Sequence, residues 1–117
     1  MKFQDLLNQK AQDEITYSDL LLTEEWKSRR KDILKRDAFY CTECGLSDTF
    51  WHEGKLIAFD KSKFMDVVYQ GQNIKADHPF VSNENIYLHV HHKYYVLGRL
   101  PWEYTDEELT TLCHSCH

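Results

Sequence analysis

No apolar run in the sequence approaches the roughly 20 residues a bilayer-spanning helix needs, which argues against a helical membrane protein. The N-terminus lacks the apolar core of a secretory signal, so the expected location is the cytoplasm, with no membrane partner. There is no internal repeat and no low-complexity tract. There is also no odd cysteine: all four fall in Cys-x-x-Cys pairs, Cys41 with Cys44 and Cys113 with Cys116. A secreted chain could use them as two disulfides, but without a secretion signal zinc in a reducing compartment is the expected use. Positive charge is scarce as well, and a net charge of −5 argues against a chain that binds a polyanion over its whole surface.

What positive charge there is sits together. Between Trp26 and Arg36 six basic residues (Lys27, Arg29, Arg30, Lys31, Lys35 and Arg36) face one acid, Asp32; this local +5 leaves −10 for the remainder of the chain. A length of 117 residues fits one domain, with a core small enough that a metal staple would help it. Two thiolate pairs at this spacing suit one tetrahedral zinc, whose four soft ligands lie about 2.3 Å from the ion. The second pair is followed directly by His117. Between the pairs lies the one dense histidine cluster, Leu88-His-Val-His-His92, so closing the zinc site should bring His117 near His91 and His92.

The remaining elements follow from periodicity. Phe3, Leu6, Leu7, Ala11 and Ile15 predict a helix over residues 1–15, with a break at Thr16–Asp19. Thr23 predicts the N-cap of a second helix, with Glu24 and Glu25 in its first turn and Trp26, Ile33 and Leu34 on its buried face. Gly45 after Cys44 suits the positive φ of a tight metal turn. Phe50-Trp51 and Leu56–Phe59 predict a hairpin across Gly54, and Phe64–Tyr69 another short element; residues 71–85 read as loop. His52 and His78 are isolated and read as ordinary histidines. Residues 85–95 alternate as a strand, which puts adjacent His91 and His92 on opposite faces. They should not chelate one metal as a pair, so one is a ligand and the other a proton-transfer group. His89 shares a face with His91 and is expected beside the metal rather than on it. Gly98 and Pro101 punctuate a loop before the strand Leu109–Leu112, and the second knuckle should open a helix.

These residues together resemble the zinc-knuckle type of HNH endonuclease. The resemblance covers Tyr17–Gly45 and resumes at Leu88–His117, through His-His-Lys-Tyr, Pro-Trp-Glu-Tyr, Leu-x-x-Leu-Cys and Cys-His. It implies an α+β fold: a helical extension over residues 1–22, then a ββα-metal core over 23–117 stapled by a four-cysteine zinc site, with a variable insertion at about 46–85. It implies DNA as substrate, and phosphodiester hydrolysis with His92 as general base. His91 and His117 would hold a catalytic divalent metal such as Mg²⁺ or Mn²⁺, while Cys41, Cys44, Cys113 and Cys116 hold structural Zn²⁺. Lys27, Arg30, Lys31 and Lys35 are expected to face the DNA backbone. The sequence departs from the family twice: Glu108 stands where the motif has Asn, and it stops at His117 where the family continues into the α of ββα. The competing expectation is a non-catalytic zinc-knuckle module that binds nucleic acid or protein.

Overall fold

A computed structural model describes all of residues 1–117. Its central element is the basic helix. Thr23, fully buried, accepts from the Trp26 N–H at 3.3 Å and starts a helix over Glu24–Arg36. Two short helices precede it, Phe3–Gln9 and Tyr17–Leu20; in chain order these three are α1, α2 and α3. Trp26, Ile33 and Leu34 bury one face of α3 against two antiparallel strands, β4 (Leu88–His92) and β5 (Leu109–Cys113). Strands β4 and β5 pair from Leu88 opposite Cys113 to His92 opposite Leu109. Leu88, Val90, Leu109 and Leu112 of these strands join Ile86, Tyr104, Ala58 and the two buried cysteines in one core.

The other sheet is a protruding arm. Strands β1 (Phe50–His52), β2 (Lys55–Tyr69) and β3 (Gln72–Val81) pair antiparallel in that order. Of this sheet Ala58 enters the core, with Phe80 packed against it and Leu56 also buried. The arm stretches the molecule to 59 × 31 × 28 Å with a radius of gyration of 18.1 Å, against about 13 Å for a compact chain of this length. The class is therefore α+β, built from helices and antiparallel sheets.

Several expectations need correction. The second knuckle, expected to open a helix, does not: His114–Cys116 is a turn. Phe64–Tyr69 is no separate element but the outer end of the long strand β2. The predicted helix 1–15 is broken: α1 ends at Gln9, Lys10 is extended, and only a 3₁₀ turn at Gln12–Glu14 follows. Leu6 is the one buried side chain of α1, too little tertiary packing to hold a longer helix. The predicted break at Thr16–Asp19 is instead the start of α2. Thr16 Oγ1 accepts from the Asp19 N–H at 3.1 Å and Asp19 Oδ2 from the Thr16 N–H at 3.0 Å, a reciprocal cap. Residues 72–81 of the expected loop 71–85 are instead the strand β3, and only 82–85 remain irregular. Gln70 and Gly71, with φ of 50° and 78°, make a two-residue turn that folds β3 back along β2, with Tyr69 opposite Gln72.

Candidate functional site

The first knuckle hangs from the end of α3. Arg36 and Asp37 form a bidentate pair at 3.0 Å; Arg36 also donates to the Leu109 carbonyl at 2.8 Å, and Asp37 accepts from the Thr111 N–H at 3.1 Å. This bolts the helix to β5. Burial raises the Asp37 pKa, but Arg36 and Thr111 outweigh it and hold the carboxyl below its usual value. Ala38 and Phe39 then adopt positive φ and turn the chain into the knuckle, where Gly45 takes φ 77° and donates its N–H to the Cys41 carbonyl at 2.9 Å. Strand β5 delivers Cys113 to the same point.

The four sulfur atoms of Cys41, Cys44, Cys113 and Cys116 lie within 4.8 Å of one another, and all four cysteines are free. Cys44 Sγ and Cys113 Sγ are 3.6 Å apart, far beyond the ~2.05 Å of a disulfide. Four sulfurs around a tetrahedral zinc, each about 2.3 Å from it, stand roughly 3.8 Å from one another. The cluster therefore fits one zinc-like ion. Burial pushes the Cys41 thiol up, but the N–H groups of Cys44, Cys113 and Glu43 outweigh it and bring the pKa down to about 6, whereas burial raises Cys44 to about 11 and the neighbouring Cys113 thiol raises Cys116 to about 12.

Closing the knuckle positions His117. Its N–H donates to the Cys113 carbonyl at 2.9 Å, an i to i+4 bond, and its ring turns back over the outward face of β4. That strand alternates as its sequence does: Leu88, Val90 and His92 are buried, while His89 and His91 point outward. His91 Nδ1 and His117 Nε2 are 3.3 Å apart. Two nitrogens on a tetrahedral ion at about 2.05 Å would be separated by nearly the same distance. Burial first, then the neighbouring His117, keeps the His91 imidazole below the ordinary histidine pKa.

His92 has a different environment. Only 4% exposed, it stacks on Trp26 at 5.0 Å and meets Tyr104 edge-on at 4.6 Å. Its Nε2 lies 2.9 Å from the Pro101 carbonyl oxygen. A carbonyl only accepts, so Nε2 carries the proton and Nδ1 of the neutral ring holds the free lone pair. Strand β4 has one unpaired edge, and residues of both its faces line a single cavity of about 210 Å³: His89, His91 and His92 with His117, Arg30 and Tyr17. Sequence reasoning gave Tyr17 and Tyr95, which also lines the cavity, no place there. Their only signal is a tyrosine within reach of the histidine cluster, a pattern shared with Tyr94, which points elsewhere. Burial, with Tyr95 and Tyr104 adding to it, pushes the Tyr17 hydroxyl up to about 12.

The basic residues of α3 divide between two flanks. At about 100° per residue Lys27, Lys31 and Lys35 fall on the flank that carries Arg30, and Arg29 and Arg36 on the other. Arg29 is consumed internally, bonding the Tyr104 carbonyl at 2.8 Å and Asp106 at 2.6 Å, as is Arg36. Arg30 is half-buried, donates to the Leu88 carbonyl at 3.1 Å and lines the cavity. Lys27, Lys31 and Lys35 are exposed and have no ion pair or hydrogen bond.

Glu108 ties down the loop between β4 and β5. It accepts from both Arg99 and the Thr105 N–H, at 3.0 and 2.8 Å, and from the hydroxyls of Thr105 and Tyr94. The Tyr94 hydroxyl, followed by the Thr105 N–H, brings its pKa down to about 2. No family model matches the chain, and no curated protein or solved structure does either.

Proposed function

We propose that the protein is a metal-dependent endonuclease of the HNH type that hydrolyses DNA phosphodiester bonds. The observation that carries this reading is the pairing of two unlike histidine environments in one cavity. His91 and His117 bring two unclaimed nitrogens together, while His92 beside them has its tautomer fixed by Pro101. On this reading the β4–β5 hairpin and the second knuckle form the ββα-metal core, with zinc in the cysteine cluster as its staple.

His91 and His117 would hold a divalent ion, which when bound would supply Lewis-acid chemistry toward the phosphate. His92 Nδ1 takes a proton from a water molecule as its oxygen bonds to phosphorus. The bond from phosphorus to the 3′-oxygen breaks, leaving a 5′-phosphate and an alkoxide that solvent protonates. The imidazolium formed on His92 is stabilised by the Pro101 carbonyl and by the face of Trp26, against which it stacks. Arg30 and the lysine flank of α3 supply a positive track leading to the cavity, which suits a polyanionic substrate. Glu108 supports the reading from the loop side. Although it cannot donate as an Asn would, it accepts from partners at both ends of the loop that carries Pro101.

The test is nicking of supercoiled plasmid by zinc-loaded protein with Mg²⁺, Mn²⁺, Co²⁺ or Ni²⁺ added in turn, with and without EDTA. Nicking that needs added metal and stops with EDTA is expected. Zinc binding without nicking under any metal would contradict the reading and favour a non-catalytic zinc-knuckle module.

A further inference from the structure

The loop that follows His92 holds apolar side chains out in solvent beside the cavity. Leu97 at its tip is fully exposed, and Tyr95 and Val96 are 64% and 38% exposed. The loop is nevertheless pinned. The Val96 N–H donates to the Tyr104 hydroxyl at 3.0 Å, and Glu108 holds both Tyr94 and Arg99. The Arg99 N–H closes a four-residue turn onto the Val96 carbonyl at 3.1 Å, with Gly98 at φ 83° in the third place. Three consecutive apolar residues on a fixed turn cannot fold down to cover one another, and such a patch marks a contact surface. Its charge is one-sided as well: Lys93-Tyr-Tyr-Val-Leu-Gly-Arg99 contains no acid, and Lys93 has no ion pair.

Tyr95 joins this tip to the cavity. Its ring lies 5.9 Å from Tyr17, nearly perpendicular at 80°, and 5.3 Å from His92 at 32°. All three line the cavity together with Arg30, His91 and His117. The ring is thus buttressed on the protein side and open on the other.

We propose that Tyr95, with Leu97 beside it, is a stacking platform for an unpaired nucleobase, so that the DNA this site takes is single-stranded or locally unpaired at the cleavage point rather than continuous duplex. The inference rests on the nuclease reading for the nature of the polymer. A base inside a duplex offers the grooves only its edge; its face is free once it leaves the stack, and an aromatic ring then binds it whatever its identity. The ring that stacks the base and the histidines that would act on the phosphate line one cavity, so one nucleotide reaches both. Lys93 and Arg30 suit the adjoining phosphates, and a leucine at the tip can fill the gap left between neighbouring bases. A protein partner would use the apolar tip but leaves the cavity side of Tyr95 without a role.

The experiment uses zinc-loaded protein with no second metal added. It is titrated into short oligonucleotides carrying one 2-aminopurine, offered as a single strand, as a duplex with a central unpaired bubble and as a matched duplex. Single strand and bubble are expected to bind about tenfold more tightly than matched duplex, with quenching of the 2-aminopurine as it stacks. Tyr95→Ala should lose the quenching and weaken binding roughly 5- to 150-fold, the range for one base on one aromatic ring. Tyr95→Phe should keep both, because stacking needs the ring and not the hydroxyl. Zinc content of the alanine variant should match the parent, since the side chain is mostly exposed. Matched duplex bound as tightly as the bubble, or unchanged affinity and quenching in Tyr95→Ala, overturns the proposal. Tyr95-dependent stacking with no cleavage of any form under any added metal would sink the nuclease reading alone; metal-dependent cleavage of matched linear duplex, indifferent to Tyr95, would sink this one alone.

Discussion

Glu108 ties the β4–β5 loop by accepting alone, because its surroundings supply the donors Tyr94, Arg99 and Thr105. The sequence shows the carboxylate but not its more distant donors, since Tyr94 and Arg99 lie 14 and 9 residues away. The consequence is a pH dependence of known sign. The folded-state pKa is depressed from 4.5 to about 2, so the stabilisation is fully present above about 4.5 and fades as the pH falls toward 2. Glu108→Gln should therefore be less stable than the parent at neutral pH, and the difference should shrink through that window. Paired denaturant titrations from pH 7 to pH 2.5 measure it; a difference that stays constant or grows on acidification would refute the assignment. His91 and His92 make a complementary case. Simple alternation predicted their opposite faces, and the strand alternates in that way.

At the scale of elements, α3, β4, β5 and the β1–β2 hairpin across Gly54 were legible, and the N-terminal segment and β3 were not. Helix α3 has a capping threonine, acids in its first turn and a period that matches its buried face; every local cue agrees. Strand β3 carried no such agreement. Its turn is Gln70-Gly71 rather than the usual Asn-Gly or Asp-Gly, Pro79 falls within it, and almost none of the arm is buried enough to leave an alternating pattern. The basic run of α3 was legible as a run, but not in its division. Helix geometry and distant partners decide that Arg29 and Arg36 bind the domain together while the lysines remain free. Replacing Lys27, Lys31 and Lys35 with Ala should weaken DNA binding and reduce the slope of log affinity against log salt by roughly one unit per lost phosphate contact. Melting temperature should change little, because these side chains are exposed and make no hydrogen bond or ion pair. Unchanged affinity and slope would mean that the flank is merely solvated.

For the whole molecule, the cysteine cluster joins the two ends of the functional sequence: the knuckle after α3 and the turn that holds His117. The core it supports contains 12 buried residues, and the arm adds almost nothing to it, so loss of the metal should be felt globally. Cys41→Ser and Cys113→Ser are each expected to lose zinc by elemental analysis and to abolish cooperative thermal unfolding; full zinc content in either would contradict the assignment. The frame places unlike histidines beside one another, and the most direct test of the proposed nuclease separates their tasks. In zinc-loaded protein, His92→Ala should nick plasmid about 10²–10⁴-fold more slowly, as loss of a general base predicts. Its affinity for the second metal should be unchanged, and added imidazole should restore part of the rate. Cleavage at the wild-type rate, or loss of the second metal in this variant, would contradict the account.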